Sequence, residues 1–178
     1  MNKIFVTSDI WFNRPNSNMS EYSINEYNEM IINKWNETVG KKDIVYILGG
    51  LGVSDVYHLI VRLNGEIHIL NNFYTQDEIY FKDDLKVCIN KSIDKNIQKK
   101  IIFENNQIMI LPKQDVVLSY FPLLEWYGFN YGTYLFNGFT QTSDLESNKI
   151  SCFMENWDYK PLQISEIKKN IEKIKKNL

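Results

Sequence analysis

The residues best able to perform chemistry are few in this chain of 178 residues. Its two cysteines, Cys88 and Cys152, form neither a CxxC pair nor another metal-ligand spacing. The two histidines, His58 and His68, stand singly in a predicted helix and a predicted strand, where a lone histidine is usually structural. The GxSxG motif, the P-loop and the glycine-rich dinucleotide fingerprint are all missing from the sequence. None of these common catalytic constellations is therefore predicted.

Composition predicts one globular domain, spanning 1–178, in a reducing compartment. Hydrophobic residues make up 44% of the chain and charged residues 24%, which is ordinary for a globular protein. The net charge of −2 does not favour nucleic-acid binding. No apolar run approaches the roughly 18 residues that span a membrane. Isolated cysteines and the lack of a secretory signal predict a cytoplasmic location.

Residue usage adds an expectation about the source of the chain. Asparagine, isoleucine and lysine are abundant, whereas only two arginines, Arg14 and Arg62, occur. This composition is typical of an AT-rich genome, such as that of a low-GC bacterium or its phage. The expected compartment is therefore the bacterial cytoplasm, or the host cytoplasm if the chain is phage-encoded.

The first half of the sequence predicts alternating strands and helices. Apolar, β-branched runs predict strands at 3–7, 43–48 and 66–70. Helices are predicted at 24–39, behind a Ser-x-x-Glu capping box, and at 55–63. The resulting β-α-β-α-β order predicts a layered α/β architecture with helices flanking a sheet.

The second half predicts short strands and a final helix. Residues 75–100 have the least regular pattern and are expected to hold one short helix and loops. Asn105-Asn106 suits a hairpin turn between the first two later strands. A lysine-rich helix is expected from about Ser165. The later strands are predicted at 99–103, 107–111, 116–120, 133–136 and 150–154.

Several short strings stand in collinear order over nearly the whole chain, at 4–9, 44–49, 63–70, 117–119 with 122–123, and 156–161. Together they resemble the calcineurin-like metallophosphoesterases, particularly the small bacterial and phage-type members. The resemblance implies an α/β fold in which a β-sandwich of two mixed sheets is flanked by helices. It also implies a site at the C-terminal ends of the strands, where two metal ions hold a bridging water or hydroxide that attacks phosphorus.

The first two metal-binding motifs of that family are degraded here. The Asp-x-His motif appears as Asp9-Ile10-Trp11, so the aspartate is kept and Trp11 replaces the histidine. The Gly-Asp motif appears as Gly49-Gly50, so the carboxylate that would bridge the two metals is lost at Gly50.

The remaining motifs are degraded as well. In the Asn-His motif, Asn72 is kept, Phe73 replaces the catalytic histidine, and Tyr74 replaces the acid. The resemblance thus leaves Asp9 and Asn72 as the only retained ligands among seven metal-binding positions. The Ser-His and Gly-His-x-His motifs carry Tyr120, Phe139 and Gln141 in place of their histidines.

One aspartate and one neutral asparagine provide too few donors and too little charge for two divalent cations. We therefore expect no metal, no cofactor and no catalytic residue, which makes the chain a pseudo-phosphoesterase. A residual metal-dependent phosphoesterase would need relocated ligands, and the candidates are Asp55, Asp77, Glu78 and Asp144.

Large aromatic residues occupy most of the replaced positions, which leaves three interpretations. The rings could refill an emptied cavity, because cavities destabilise a fold. They could instead form a protein-binding surface, since aromatic residues dominate interface hot spots. They could also stack on a nucleotide base. The candidate binding residues are Trp11, Phe12, Arg14, Phe73, Tyr74, Tyr120, Asn137 and Phe139.

The leading functional expectation is a protein-binding or inhibitory module. If the chain is phage-encoded, a host protein or a defence protein is the expected target. The alternative is a binder that sequesters a nucleotide or phosphorylated ligand through Arg14, Asn72, Asn137 and the aromatic rings.

Overall fold

The computed structural model describes residues 2–13, 23–72, 76–145 and 147–176, with the backbone alone for 76–81. It shows an α/β protein with two mixed sheets flanked by helices. The helices are α1 (Ile24–Thr38), α2 (Tyr57–Ile60), α3 (Gln76–Asn90), α4 (Lys95–Lys100) and α5 (Ile164–Lys176). The strands are β1 (Ile4–Thr7), β2 (Ile44–Ile47), β3 (Glu66–Ile69), β4 (Ile101–Phe103), β5 (Ile108–Leu111), β6 (Val116–Ser119), β7 (Tyr134–Asn137), β8 (Lys149–Ser151) and β9 (Leu162–Gln163).

The first sheet has the strand order β4-β3-β2-β1-β9. Strands β1 to β4 are parallel, and β9 pairs antiparallel with β1. Because Thr7 lies opposite Ile47 and Ile47 opposite Ile69, the three central strands end at the same level. The residues that follow these strands therefore share one edge of the sheet.

The second sheet has the strand order β5-β6-β7-β8. Strands β6, β7 and β8 are parallel, whereas β5 pairs antiparallel with β6. Ser119 lies opposite Asn137, so β6 and β7 also end together. Their carboxyl ends meet those of the first sheet, where the Ser8 hydroxyl after β1 donates to the Gly138 carbonyl after β7.

Two apolar layers hold the sheets and helices together. One face of the first sheet packs against α1, α2 and α3, with Phe5, Ile31, Trp35 and Ile67 buried between them. The other face packs against the second sheet and α5. A smaller cluster, of Val117, Trp126 and Leu135, covers the outer face of the second sheet. The members of the second layer include Val6, Tyr46, Leu48, Val116, Leu118, Phe136, Ile150 and Ile171. In the described parts of the chain, no helix combines the length and apolarity needed to cross a bilayer.

The structure confirms the predicted strands and α1 to within a few residues. The predicted helix 55–63 is reduced to the single turn of α2. The expectation of one short helix within 75–100 was wrong, because α3 and α4 both lie there. Buried Leu85 and Ile89 give α3 an apolar contact every fourth residue, but dense charges hide this pattern in the sequence.

The predicted Asn105-Asn106 hairpin was also wrong. Strand β4 belongs to the first sheet and β5 to the second, so the segment between them crosses from one sheet to the other. The backbone carbonyl of Asn106 instead accepts a hydrogen bond from the Asn71 backbone N–H at 3.0 Å. The turn therefore supports the loop after β3.

Replacing Ser23 with alanine should destabilise the protein by about 1 kcal/mol, because α1 loses its N-cap. The Ser23 hydroxyl accepts from the Glu26 backbone N–H, and the Glu26 carboxylate accepts from the Ser23 backbone N–H. Urea unfolding would measure the change, with exposed Glu37→Gln in the same helix as the control. Equal stability of the wild type and Ser23→Ala would refute a contribution of the cap.

Candidate functional site

Backbone hydrogen bonds join the loops that follow β1 and β2. The Asp9 backbone N–H donates to the Gly49 carbonyl at 3.0 Å, and the Trp11 backbone N–H donates to the Gly50 carbonyl at 2.9 Å. Asp9 and Trp11 both adopt positive φ angles, of 56° and 53°. The chain thus turns sharply at the end of β1, which leaves the Asp9 side chain buried at the meeting point of the strands.

The second sheet reaches the same point through the ends of β6 and β7. The Phe139 backbone N–H donates to the Tyr120 carbonyl at 2.7 Å, so the loops after these two strands are paired. The Ser8 hydroxyl donates to the Gly138 carbonyl at 3.2 Å, which links the end of β1 to the end of β7. The strand ends of both sheets therefore form one site, named here the strand-end site, around Asp9 and Tyr120.

The side chain of Tyr120 fills the space between the two sheets at this site. Its hydroxyl donates to Oδ1 of Asp9 at 3.3 Å. A Cβ atom added at Gly49 would lie 2.5 Å from the Tyr120 Cδ2 atom, and one added at Gly138 would lie 2.7 Å from it. The ring consequently depends on the absence of side chains at both glycines. This arrangement favours cavity filling for Tyr120 among the three interpretations of the aromatic replacements.

Position 50 has no room for a side chain in this backbone arrangement. Gly50 has a φ angle of 62° and faces Asp9 directly. An added Cβ would lie 2.6 Å from the Asp9 Cα atom and would also overlap the Asp9 carboxylate. A second carboxylate at position 50 therefore does not fit while Asp9 occupies its present place.

The buried amide of Asn72 braces the neighbouring loops. Its Nδ2 donates to the Leu48 carbonyl at 2.6 Å and lies 3.4 Å from the Gln107 carbonyl. These bonds tie the end of β3 to the end of β2 and to the segment entering β5. The nitrogen of Asn72 thus has a structural use that requires no ligand.

The described residues do not fit the two-metal site that the sequence resemblance implies. Within the described ranges, no group of three histidine, cysteine, aspartate or glutamate side chains could hold a metal ion. Of the relocated candidates, exposed Asp55 lies 3.8 Å from His58 Nδ1, and Asp144 bonds to Ser147 beyond β7. The side chains of the remaining two candidates, Asp77 and Glu78, lie outside the described ones.

Three neighbouring rings form an aromatic cluster that extends from the strand-end site to the surface. Tyr120 contacts Phe121 and Phe139 with centroid separations of 5.2 Å and 6.0 Å, and the two phenylalanines are 5.4 Å apart. Phe139 is 58% exposed and Phe121 39% exposed. Tyr120 therefore anchors a pair of solvent-facing rings. Phe121 was missed in the sequence, although it directly follows Tyr120 at the end of β6.

Two of the candidate binding residues are corrected by their burial. The Phe12 ring is fully buried in the core beside α1, so it cannot contact a ligand at the surface. Asn137 is 1% exposed, and its Oδ1 accepts from the Thr140 backbone N–H and hydroxyl at 3.2 Å and 2.5 Å. Its Nδ2 donates to the Ile150 carbonyl at 3.3 Å, so the amide stabilises a turn.

The other predicted site residues differ in position. Trp11 is half-buried at the strand-end site, whereas Gln141 is exposed and accepts from the Asn156 side chain through its backbone carbonyl. The predictions for Arg14, Phe73 and Tyr74 lie outside the described residues.

The remaining nucleophiles and bases have local structural partners or lie apart from the site. His68 lies between two carboxylates, with Nδ1 2.6 Å from Glu104 Oε1 and Nε2 2.9 Å from Glu66 Oε1. Burial, with a smaller contribution from the charge of Asp9, holds the pKa of the Cys152 thiol well above its ordinary range. A thiol with a raised pKa is a poor nucleophile at neutral pH. Cys88 lies exposed on α3.

Comparisons with known proteins give a protein of similar sequence and a protein of similar structure. No protein-family model matches the chain. The uncharacterized protein MJ1445 of Methanocaldococcus jannaschii is 28% identical over 192 residues, covering 97% of this chain and 93% of its own. The crystal structure of AQ665, a protein of unknown function from Aquifex aeolicus, superposes with a TM-score of 0.63 at 18% identity. That alignment covers 95% of this chain and 99% of the other.

Replacing Gly50 with alanine should lower stability by about 2–4 kcal/mol, through left-handed strain plus overlap with Asp9. Gly132→Ala is the matched control, since Gly132 has a φ of 80° but nothing within 4 Å of its added Cβ. The control should lose only about 1 kcal/mol, because it carries the strain alone. Urea unfolding of both variants measures the difference. Equal losses would contradict the close approach of Asp9 to Gly50.

Proposed function

We propose that this protein is a catalytically inactive metallophosphoesterase-like chain that acts as a protein-binding or inhibitory module. The observation that carries the proposal is the position of Tyr120. The sequence resemblance implies a metal-binding histidine there, and the tyrosine ring instead fills the space between Gly49 and Gly138. Its hydroxyl also donates to Asp9, one of only two retained ligand positions.

Loss of hydrolysis follows from the chemistry of a two-metal reaction. Such a site needs several anionic and imidazole donors to hold both cations and to activate water. Here the retained carboxylate of Asp9 hydrogen-bonds to a tyrosine, and position 50 has no space for the second carboxylate. The donor set at the strand-end site therefore supports a scaffold and gives no support for a phosphoesterase.

A weakly charged segment rich in exposed apolar side chains supports binding to another protein. Residues 105–143 include only three charged residues, Lys113, Asp115 and Glu125. The same segment holds seven of the twelve exposed large apolar side chains among the described residues, so exposed apolar area is concentrated there. These seven are Ile108, Ile110, Phe121, Leu124, Tyr127, Tyr131 and Phe139.

The aromatic cluster is the strongest candidate for the centre of such an interface. Interface hot spots are enriched in aromatic residues and depleted in charge. Phe121 and Phe139 are exposed and are held in place by Tyr120 beneath them. Burial of Asn137 removes one polar contact required by the nucleotide-binding alternative, which favours a protein partner. The AT-rich composition suits a phage protein directed at a host or defence protein.

Replacing exposed Phe139 with aspartate should weaken partner capture by at least about tenfold, because a hot-spot ring contributes about 2 kcal/mol or more. The tagged protein would be incubated with lysates of low-GC bacteria, and retained proteins would be quantified by mass spectrometry. Val87→Asp is the matched control, since Val87 is similarly exposed but lies on α3. The control should retain the same partner as the wild type.

Two outcomes would contradict this proposal. One is equal retention of the partner by the Phe139→Asp variant and the control, because the aromatic cluster would then not be the interface. The other is failure of the wild-type protein to retain a partner from any of several hosts.

A further inference from the structure

We propose that β5 pairs antiparallel with β5 of a second copy of this chain, forming a two-fold symmetric dimer. Strand β5 is an edge of the second sheet and pairs only with β6 among the described strands. The pairing would join the two four-stranded sheets into one continuous sheet. This inference does not depend on the proposed function, because the contact is the edge of β5 and not the aromatic cluster of Tyr120, Phe121 and Phe139.

The other three sheet edges carry features that discourage edge pairing. Strand β9 has two residues, which is too short to template another strand. Strand β8 begins with Lys149, whose backbone already pairs with Asp144. Strand β4 has three residues, and the Lys86 ammonium lies 5.2 Å from the centroid of the Phe103 ring.

Strand β5 has none of these protective features within its own length. It consists of Ile108-Met109-Ile110-Leu111, without a charge, a proline or a glycine. Natural proteins usually protect an edge of this kind, because its free N–H and C=O groups accept another strand. The unprotected edge therefore distinguishes β5 from β4, β8 and β9.

The two faces of β5 have different surroundings. Met109 and Leu111 pack into the layer between the sheets. Ile108 and Ile110 point the other way and are 44% and 43% exposed. Ile110 lies opposite buried Val117, so the two isoleucines extend the apolar outer face of the second sheet to its edge.

These features select a second copy of β5 as the partner. The free backbone groups require an extended strand, and the exposed isoleucines require an uncharged strand with apolar side chains on the same face. Strand β5 meets both requirements itself. Antiparallel pairing around a two-fold axis would bring Ile108 and Ile110 of both copies together on one face. It would also place the two exposed Lys113 side chains at opposite ends of the pair, which avoids repulsion.

Sedimentation equilibrium over micromolar to millimolar concentrations tests the dimer. The expected mass rises from that of the 21.1 kDa chain to twice this value. Hydrogen exchange at 108–111 should slow over the same concentration range, because outward-facing amides become paired. A single-chain mass throughout the range would overturn the proposal, even if β5 binds a strand of another protein.

Matched variants test whether β5 forms the contact. Ile110→Lys should give a single-chain mass at every concentration, because pairing would bring its charge beside the apolar side chains of the second copy. Ile108→Lys provides an independent second variant, and circular dichroism checks that both remain folded. Ile174→Lys is the control, because Ile174 is comparably exposed, at 48%, on α5, and this variant should still dimerise. Dimerisation of a folded β5 variant like that of the wild type would overturn the proposal.

Discussion

The packing of Tyr120 between Gly49 and Gly138 is the constraint on which the strand-end site depends. Parallel strands of both sheets finish at this point, and their loops carry backbone groups that need partners. The Tyr120 ring occupies the space between the loops, while its hydroxyl reaches buried Asp9. Any larger residue at either glycine would displace the ring. The geometry of the site is thus fixed by two absent side chains as much as by the tyrosine.

This constraint links a closed interior to an exposed surface. Tyr120 uses its hydroxyl inside the site and its ring against Phe121 and Phe139 outside it. Because the Tyr120 hydroxyl is hydrogen-bonded inside the site, its ring restricts the conformations of Phe121 and Phe139 before a partner binds. Such preorganisation lowers the entropy lost on binding. Under the proposed function, Tyr120 therefore both replaces a metal-binding histidine and supports the exposed rings of the interface.

Local sequence signals predicted the elements that depend on local interactions. Apolar β-branched runs located β1 to β3, and the Ser23–Glu26 capping box located the start of α1. The hydrophobic pattern of the sequence led to wrong predictions where tertiary packing determines the structure. Charges hid α3, and sequence adjacency suggested a hairpin where β4 and β5 enter different sheets. Phe12 is buried in the core beside α1 and Asn137 at the end of β7, and no periodicity in the sequence reveals either position.

The proposed function requires that the strand-end site does not support two-metal chemistry. Calorimetric titration of the metal-stripped protein with Mn2+ measures whether the site binds a divalent cation. We expect no heat of site binding, because Asp9 and Asn72 supply too few donors and both already have hydrogen-bond partners within the protein. Saturable binding at micromolar affinity or better would contradict the proposed function, and phosphodiester hydrolysis would then have to be reconsidered.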